Sequence, residues 1–202
     1  MSSHRARSSE RARTLAQFDA FNLNVRVFED TSDVPSSANN RANGEHILDW
    51  TVDERADLLF VEDDIDLAPD FPAALEAARA LGEPVTFWLD DARIHPAWIE
   101  RGLHLMPTTF GWRGSQALFI PFERTQKAVR HPQFGNGQPP PIDGFLKHAG
   151  ALTGLRVALP NPVEHRSPAS LVDAARPVRK SLTFGMSAFG DWGEHGTRVH
   201  AD

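Results

Sequence analysis

Cysteine is absent from the 202-residue chain, which excludes disulfides and thiolate chemistry. No apolar run is long enough to cross a bilayer. No apolar stretch follows the basic N-terminus, so no secretory signal is expected. The lack of cysteine fits a reducing compartment, and a cytoplasmic location is expected. Positive charge is not in excess. The formal net charge is −6, so strong whole-chain attraction to nucleic acid is not expected. No internal repeat, glycine-rich phosphate loop, zinc-spaced Cys/His set or Ser-His-Asp pattern stands out.

What is present suits one globular domain with tails: hydrophobic residues make up 41% of the chain, enough for a core at this length. Residues 1–13 are polar and basic and read as a flexible N-terminus feeding a helix over 9–21. A strand follows over 23–29, where apolar and polar residues alternate. Residues 30–37 read as a loop, and 38–56 as a helix carrying Ile47, Leu48, Trp50 and Val52. Residues 58–61 are a strand, 65–70 a turn, 71–81 a helix and 84–89 a strand. Beyond them come a short helix over 92–101, strands over 103–106 and 115–120, a helix over 122–129, a helix opening at Ile142 and a strand over 155–159. Residues 134–141 are too rich in Gly and Pro for regular structure. Residues 161–167 form another loop, and 173–202 a Gly-rich polar tail. Strands alternating with helices imply an α/β domain over 14–172 with a mostly parallel central sheet.

The centre of this pattern is Leu58-Leu59-Phe60-Val61-Glu62-Asp63-Asp64. Its apolar part is continuous, as in a strand covered on both faces. The acids fall where the strand ends, and open α/β sheets bind ligands outside the carboxyl ends of their strands. Three adjacent acids in a partly dry cleft repel one another unless a cation compensates. A divalent ion with oxygen ligands and attached phosphates is the natural compensator. The alternative is a solvated loop that caps the next helix.

The order of features resembles a GT-A type glycosyltransferase. It is closest to the lipopolysaccharide glycosyltransferases of family 25 and similar small bacterial and phage enzymes. The resemblance rests on five segments. They are Asn39-Asn40; Leu59 through Asp64; Gly114-Ser115-Gln116-Ala117-Leu118-Phe119-Ile120; Pro141-Ile142-Asp143-Gly144-Phe145-Leu146; and Pro162-Val163-Glu164-His165-Arg166-Ser167. They span roughly residues 15 to 172.

The resemblance implies a single GT-A-like, Rossmann-like domain and a nucleotide-sugar donor. Asp64 would bind Mn²⁺ or Mg²⁺, and Glu62 or Asp63 would contact the donor's ribose or bridge through water. His165 would complete the metal or diphosphate site, and Asp143 would be the catalytic base or a sugar ligand. Such chains usually open on a strand whose loop cradles the nucleotide, and little precedes the first helix here.

Glycosyl transfer leaves a charged diphosphate, which a divalent ion stabilises, and a His ligand favours Mn²⁺ over Mg²⁺. In an inverting reaction a carboxylate takes the acceptor proton. Asp143 is the first candidate and Asp91 the second, although either acid also suits a helix start. Arg113, Arg166 and Lys180 are candidate diphosphate partners, although a solvated surface charge is the plainer reading of each. Trp112 could stack on a sugar or base, and Ser115 and Gln116 could line the acceptor cleft. The acceptor is a glycan, which the acidic net charge favours, or modified DNA, which the basic ends favour. The rival readings are a non-catalytic domain that binds a nucleotide sugar or a partner, and a metal-dependent phosphotransferase or hydrolase.

Overall fold

A computed structural model describes residues 1–89, 116–136, 140–166, 180–181 and 183–184, and the backbone of 105–107. The chain is mixed α/β. In order it runs β1 (Ser2–His4), a 3-10 turn (Arg5–Arg7), α1 (Ser8–Ala20), β2 (Phe28–Asp30), α2 (Ser37–Glu54), β3 (Leu58–Val61), β4 (Ile65–Leu67), α3 (Phe71–Leu81), β5 (Val85–Thr86) and β6 (Leu105–Pro107). It continues with β7 (Ala117–Ile120), α4 (Phe122–Val129), α5 (Ile142–His148), β8 (Arg156–Ala158) and β9 (Val163–His165). Among the described residues no helix is long and apolar enough to cross a membrane.

Local chemistry sets the helix ends. The Ser36 hydroxyl accepts from the Asn39 amide at 3.1 Å and starts α2, which satisfies one of the orphan donors of its first turn. α3 has a proline in its first turn and stops at Gly82, whose φ of +67° suits a residue without a side chain.

The main sheet has the order β3-β7-β5-β8-β6. β5 and β8 are parallel, whereas β7 runs antiparallel to both β3 and β5, and β6 antiparallel to β8. The sheet is therefore mixed, which corrects the expectation of a mostly parallel one. Helix crossovers force parallel pairing, and β7 enters between β3 and β5 in the opposite sense. β1 and β2 form a separate parallel pair, and a parallel bridge between Ser2 and Glu62 sets β1 beside the end of β3. β4 and β9 form a short antiparallel ladder.

β3 is covered on both faces, as its continuous apolar run requires. Leu58 and Phe60 pack with Ile47 and Leu48 of α2 and with Phe145 and Leu146 of α5. Val61 packs on the other side with Phe18 of α1 and with Phe71, Ala74 and Leu75 of α3. Each of these large side chains contributes about 1.5–3 kcal/mol by leaving water.

Three expectations are corrected. The N-terminal residues are not a flexible tail: Ser2 and Ser3 are buried in β1. Their hydroxyls are satisfied, because Asn43 Nδ2 donates to Ser2 Oγ at 2.9 Å and Ser3 Oγ donates to Asp63 Oδ2 at 2.7 Å. A strand does therefore precede the first helix. The strand expected over 23–29 is confined to Phe28–Asp30, although Leu23, Val25 and Val27 still pack on the core. Ile65–Leu67 and Val163–His165, expected as a turn and a loop, pair as β4 and β9. The expected tail is pinned where it is described: Asn161 N donates to the Thr183 hydroxyl at 2.8 Å, Ser181 Oγ to Asn161 Oδ1 at 2.7 Å and the Ser181 amide to Glu164 Oε1 at 3.0 Å.

Candidate metal centre

The acids follow β3 and meet β9. The β4–β9 register sets Ile65 opposite His165, and the Arg166 amide donates to the Asp64 carbonyl at 2.8 Å. This ladder carries the His165 ring to the acids, where its Nε2 lies 3.1 Å from Asp64 Oδ2. Lys180 Nζ donates to the His165 carbonyl at 3.1 Å, and the Trp88 ring stands edge-on to the imidazole at 5.9 Å.

Ligand atoms of Glu62, Asp64 and His165 all lie within 4.8 Å of one another. Two carboxylates and an imidazole form a donor set suited to a divalent transition ion. A second observation points the same way. Asp64 is fully buried, and its Oδ1 has no hydrogen-bond partner among the described residues. An unpaired buried carboxylate oxygen is costly, and an ion bound there would satisfy it. Gln116, whose carbonyl accepts from the Glu62 amide at 3.0 Å, also buries an Oε1 that has no partner among the described residues.

Asp63 has a different task. Its Oδ2 accepts from Ser3 Oγ at 2.7 Å and from the His4 amide at 3.2 Å. It ties β1 to the end of β3, so the ribose contact expected of it has no support in the geometry. Glu62, expected as a donor contact, belongs instead to the ligand cluster.

Arg7 supplies the positive charge. It ion-pairs with Asp64, and its Nη1 lies 3.4 Å from Asp63 Oδ1. Burial acts to lower its pKa, but Asp64, Asp63 and Glu62 outweigh that and raise it. Burial likewise acts to raise the Asp64 carboxyl. The His165 hydrogen bond and charge, with Arg7, outweigh it and hold the group below its ordinary value. Burial raises Asp63, and repulsion from Asp64 adds to the rise. The sequence reading missed Arg7 because it sits in a polar segment with no periodicity. The usable signal was charge balance, since three desolvated acids need a cation from somewhere in the chain.

Arg166 is not available for a diphosphate. Its Nε donates to Glu10 Oε2 at 2.6 Å and its Nη1 to Asp66 Oδ1 at 2.9 Å. Its Nη2 donates to the Glu10 carbonyl, the Thr14 hydroxyl and the Asp63 carbonyl. These bonds clamp α1 to the acidic loop. Asp143 lies in the first turn of α5, with its Oδ1 accepting from the Gly144 amide at 2.8 Å, and it is not part of the three-ligand cluster. Asp91, Arg113, Trp112 and Ser115 lie outside the described residues.

α2 builds the surroundings of Asp143. Asn40 Oδ1 accepts from the Ile142 amide at 3.4 Å. The Arg41 side chain, 1% exposed, pairs with Glu45 at 2.6 Å. Arg41 also donates to the Gln133 carbonyl at 2.9 Å and to the Pro140 carbonyl at 3.3 Å, and stacks 3.6 Å above the Phe145 ring. Glu45 in turn accepts from the Gly135 amide at 3.0 Å. Residues 133–135 and 140–142 are therefore fastened to one helix.

Compared with known proteins, the chain matches no family model and no curated protein.

Proposed function

We propose that this chain is a metal-dependent glycosyltransferase of the GT-A type, which moves a sugar from a nucleotide-sugar donor to an acceptor hydroxyl. The carrying observation is the cluster of Glu62, Asp64 and His165 at the carboxyl end of β3, with one buried Asp64 oxygen left unpartnered among the described residues. The five-segment resemblance supplies the reaction class.

Glu62, Asp64 and His165 would hold Mn²⁺ or Mg²⁺. When bound, such an ion supplies positive charge to the diphosphate as the bond to the sugar breaks. The chain's residues do the rest. β9 orients the imidazole, Asp63 fixes the loop after β1 beside the acids, and the arginine clamps keep both segments in register. Asp143, carried on a helix start anchored to α2, is the candidate to accept the acceptor's hydroxyl proton as that oxygen forms the new glycosidic bond. A glycan acceptor suits the net charge of −6, because a DNA acceptor would be repelled at long range.

The test is thermal denaturation against a panel of nucleoside diphosphates and sugar nucleotides, each with and without Mn²⁺, followed by product analysis. A ligand that binds the folded state raises the melting temperature by mass action. A shift that needs both one nucleotide and the ion, and vanishes in Asp64→Asn, is expected. No shift with any pair overturns the donor assignment. Binding without sugar transfer would establish the non-catalytic reading, and phosphate release without acceptor the hydrolase reading.

A further inference from the structure

Arg7 occupies the position where the proposed site must change most. It sits in the turn that follows β1, its side chain is 15% exposed, and it pairs with the same Asp64 oxygen that contacts His165. Among the described residues, one carboxylate oxygen of Asp64 thus carries two partners while the other carries none. An ion taken up by Asp64 and His165 places a second cation on that carboxylate. A divalent ion and a guanidinium sharing one carboxylate repel each other strongly in a partly buried site. The guanidinium must then loosen its hold on Asp64. Asp63, 3.4 Å from the same nitrogen, keeps it tethered beside the site.

From this geometry we infer that Arg7 has two exchanging partners: it neutralises Asp64 when the site holds no ion, and it holds the diphosphate once an ion has displaced it. The inference rests on the metal-dependent reading and assigns a second ligand-binding residue to that site. A planar fork of N–H donors released next to an ion is suited to bidentate pairing with phosphate oxygens. The ion and the diphosphate then bind cooperatively, because the first frees the residue that the second needs.

The exchange makes a prediction of opposite signs that a purely structural arginine would not produce. The measurement is Mn²⁺ titration followed by electron paramagnetic resonance of the free ion, then calorimetric titration of inorganic pyrophosphate at saturating Mn²⁺. Arg7→Gln, which keeps a donor and removes the charge, is expected to bind Mn²⁺ about tenfold more tightly and pyrophosphate about tenfold more weakly. Arg7→Lys keeps the charge and loses the fork. It is expected to bind Mn²⁺ as the wild type does and pyrophosphate more weakly, so it tests the anion role even where Arg7→Gln fails to fold. Mn²⁺ affinity unchanged or weakened in Arg7→Gln overturns the competing role. Pyrophosphate affinity unchanged in both variants overturns the anion role. Asp64→Asn separates the two levels. Wild-type Mn²⁺ binding in that variant removes the metal site itself and the inference with it, whereas lost binding there, with no opposite-sign response at Arg7, removes only the inference.

Discussion

His165 Nε2 stands 3.1 Å from Asp64 Oδ2 across 101 residues of chain, and the short β4–β9 ladder makes the meeting. Asp64 is the centre of the cluster, so it should be the least replaceable residue. Asp64→Ala takes a buried carboxylate partner from Arg7, and breaking a buried pair costs about 3–5 kcal/mol. The partial exposure of Arg7 places the expected loss at the low end. Urea denaturation measures it, and a loss under about 1 kcal/mol would show that the pair is screened like a surface bridge.

The imidazole should set ion preference. His165→Asn removes a nitrogen ligand from a set that otherwise offers carboxylate oxygens, so the preference for Mn²⁺ over Mg²⁺ should narrow. Competition titrations of the two ions against wild type and variant measure this. An unchanged ratio would take His165 out of the ligand set.

Asp63 yields a prediction in pH. Burial raises its carboxyl above the ordinary 3.8 despite the Ser3 hydrogen bond, and Asp64 adds to the rise. A folded-state pKa above the unfolded one means that the native state holds the proton more tightly. The stabilising contribution is full below the unfolded value and is lost as pH rises through the folded one. Asp63→Asn removes this titration. The stability of the wild type relative to Asp63→Asn should therefore fall as pH rises from about 4 towards neutrality. Asp64 is held low and acts in the opposite sense, but it titrates in both proteins and largely cancels from the difference. Urea denaturation at a series of pH values checks the slope, and a difference that rises with pH contradicts it.

The ion pair on α2 should matter to the loop before Asp143. Arg41→Met leaves Glu45 buried with the Gly135 amide, and should cost about 3–5 kcal/mol. Replacing both members with apolar residues should cost less than either single change, because no charge is stranded. Hydrogen exchange at residues 133–136 and at the Ile142 amide should quicken in Arg41→Met while β3 stays protected.

Gly44 should resist the usual rule for helices. Glycine to alanine inside a helix ordinarily gains about 1 kcal/mol. A methyl at Gly44 would stand 2.7 Å from Ile142 Cδ1 and 2.8 Å from its Cβ. Overpacking of this kind costs about 1–3 kcal/mol, so Gly44→Ala should be less stable than wild type in the same denaturation assay.

The parts of the fold written in strong local patterns were legible. Helices 71–81 and 122–129 fall where apolar spacing and end signals put them. The strand over 58–61 was legible because an unbroken apolar run of four has few other homes. β1 was not, since Ser2-Ser3-His4 carries no apolar pattern and is held by Asn43 and by Asp63, tens of residues away. β9 was hidden for a related reason: three residues between polar and proline neighbours pair only with a distant partner. Sheet direction was misjudged because alternation of strands and helices does not register an inserted antiparallel strand. In the site, Asp64 and His165 were singled out and do meet. Arg166 shared their segment but spends its donors on α1, and Arg7 gave no local sign of its place.

The order in which the chain leaves the ribosome bears on when this cluster can exist. Glu62 and Asp64 emerge long before His165, and two carboxylates alone in a nascent chain offer an ion little more than water does. Any ion must be acquired once the polypeptide has been made through β9 and has closed upon itself. A metal held by this set would bind the closed domain and add its binding energy to the stability of that domain, rather than seed its folding.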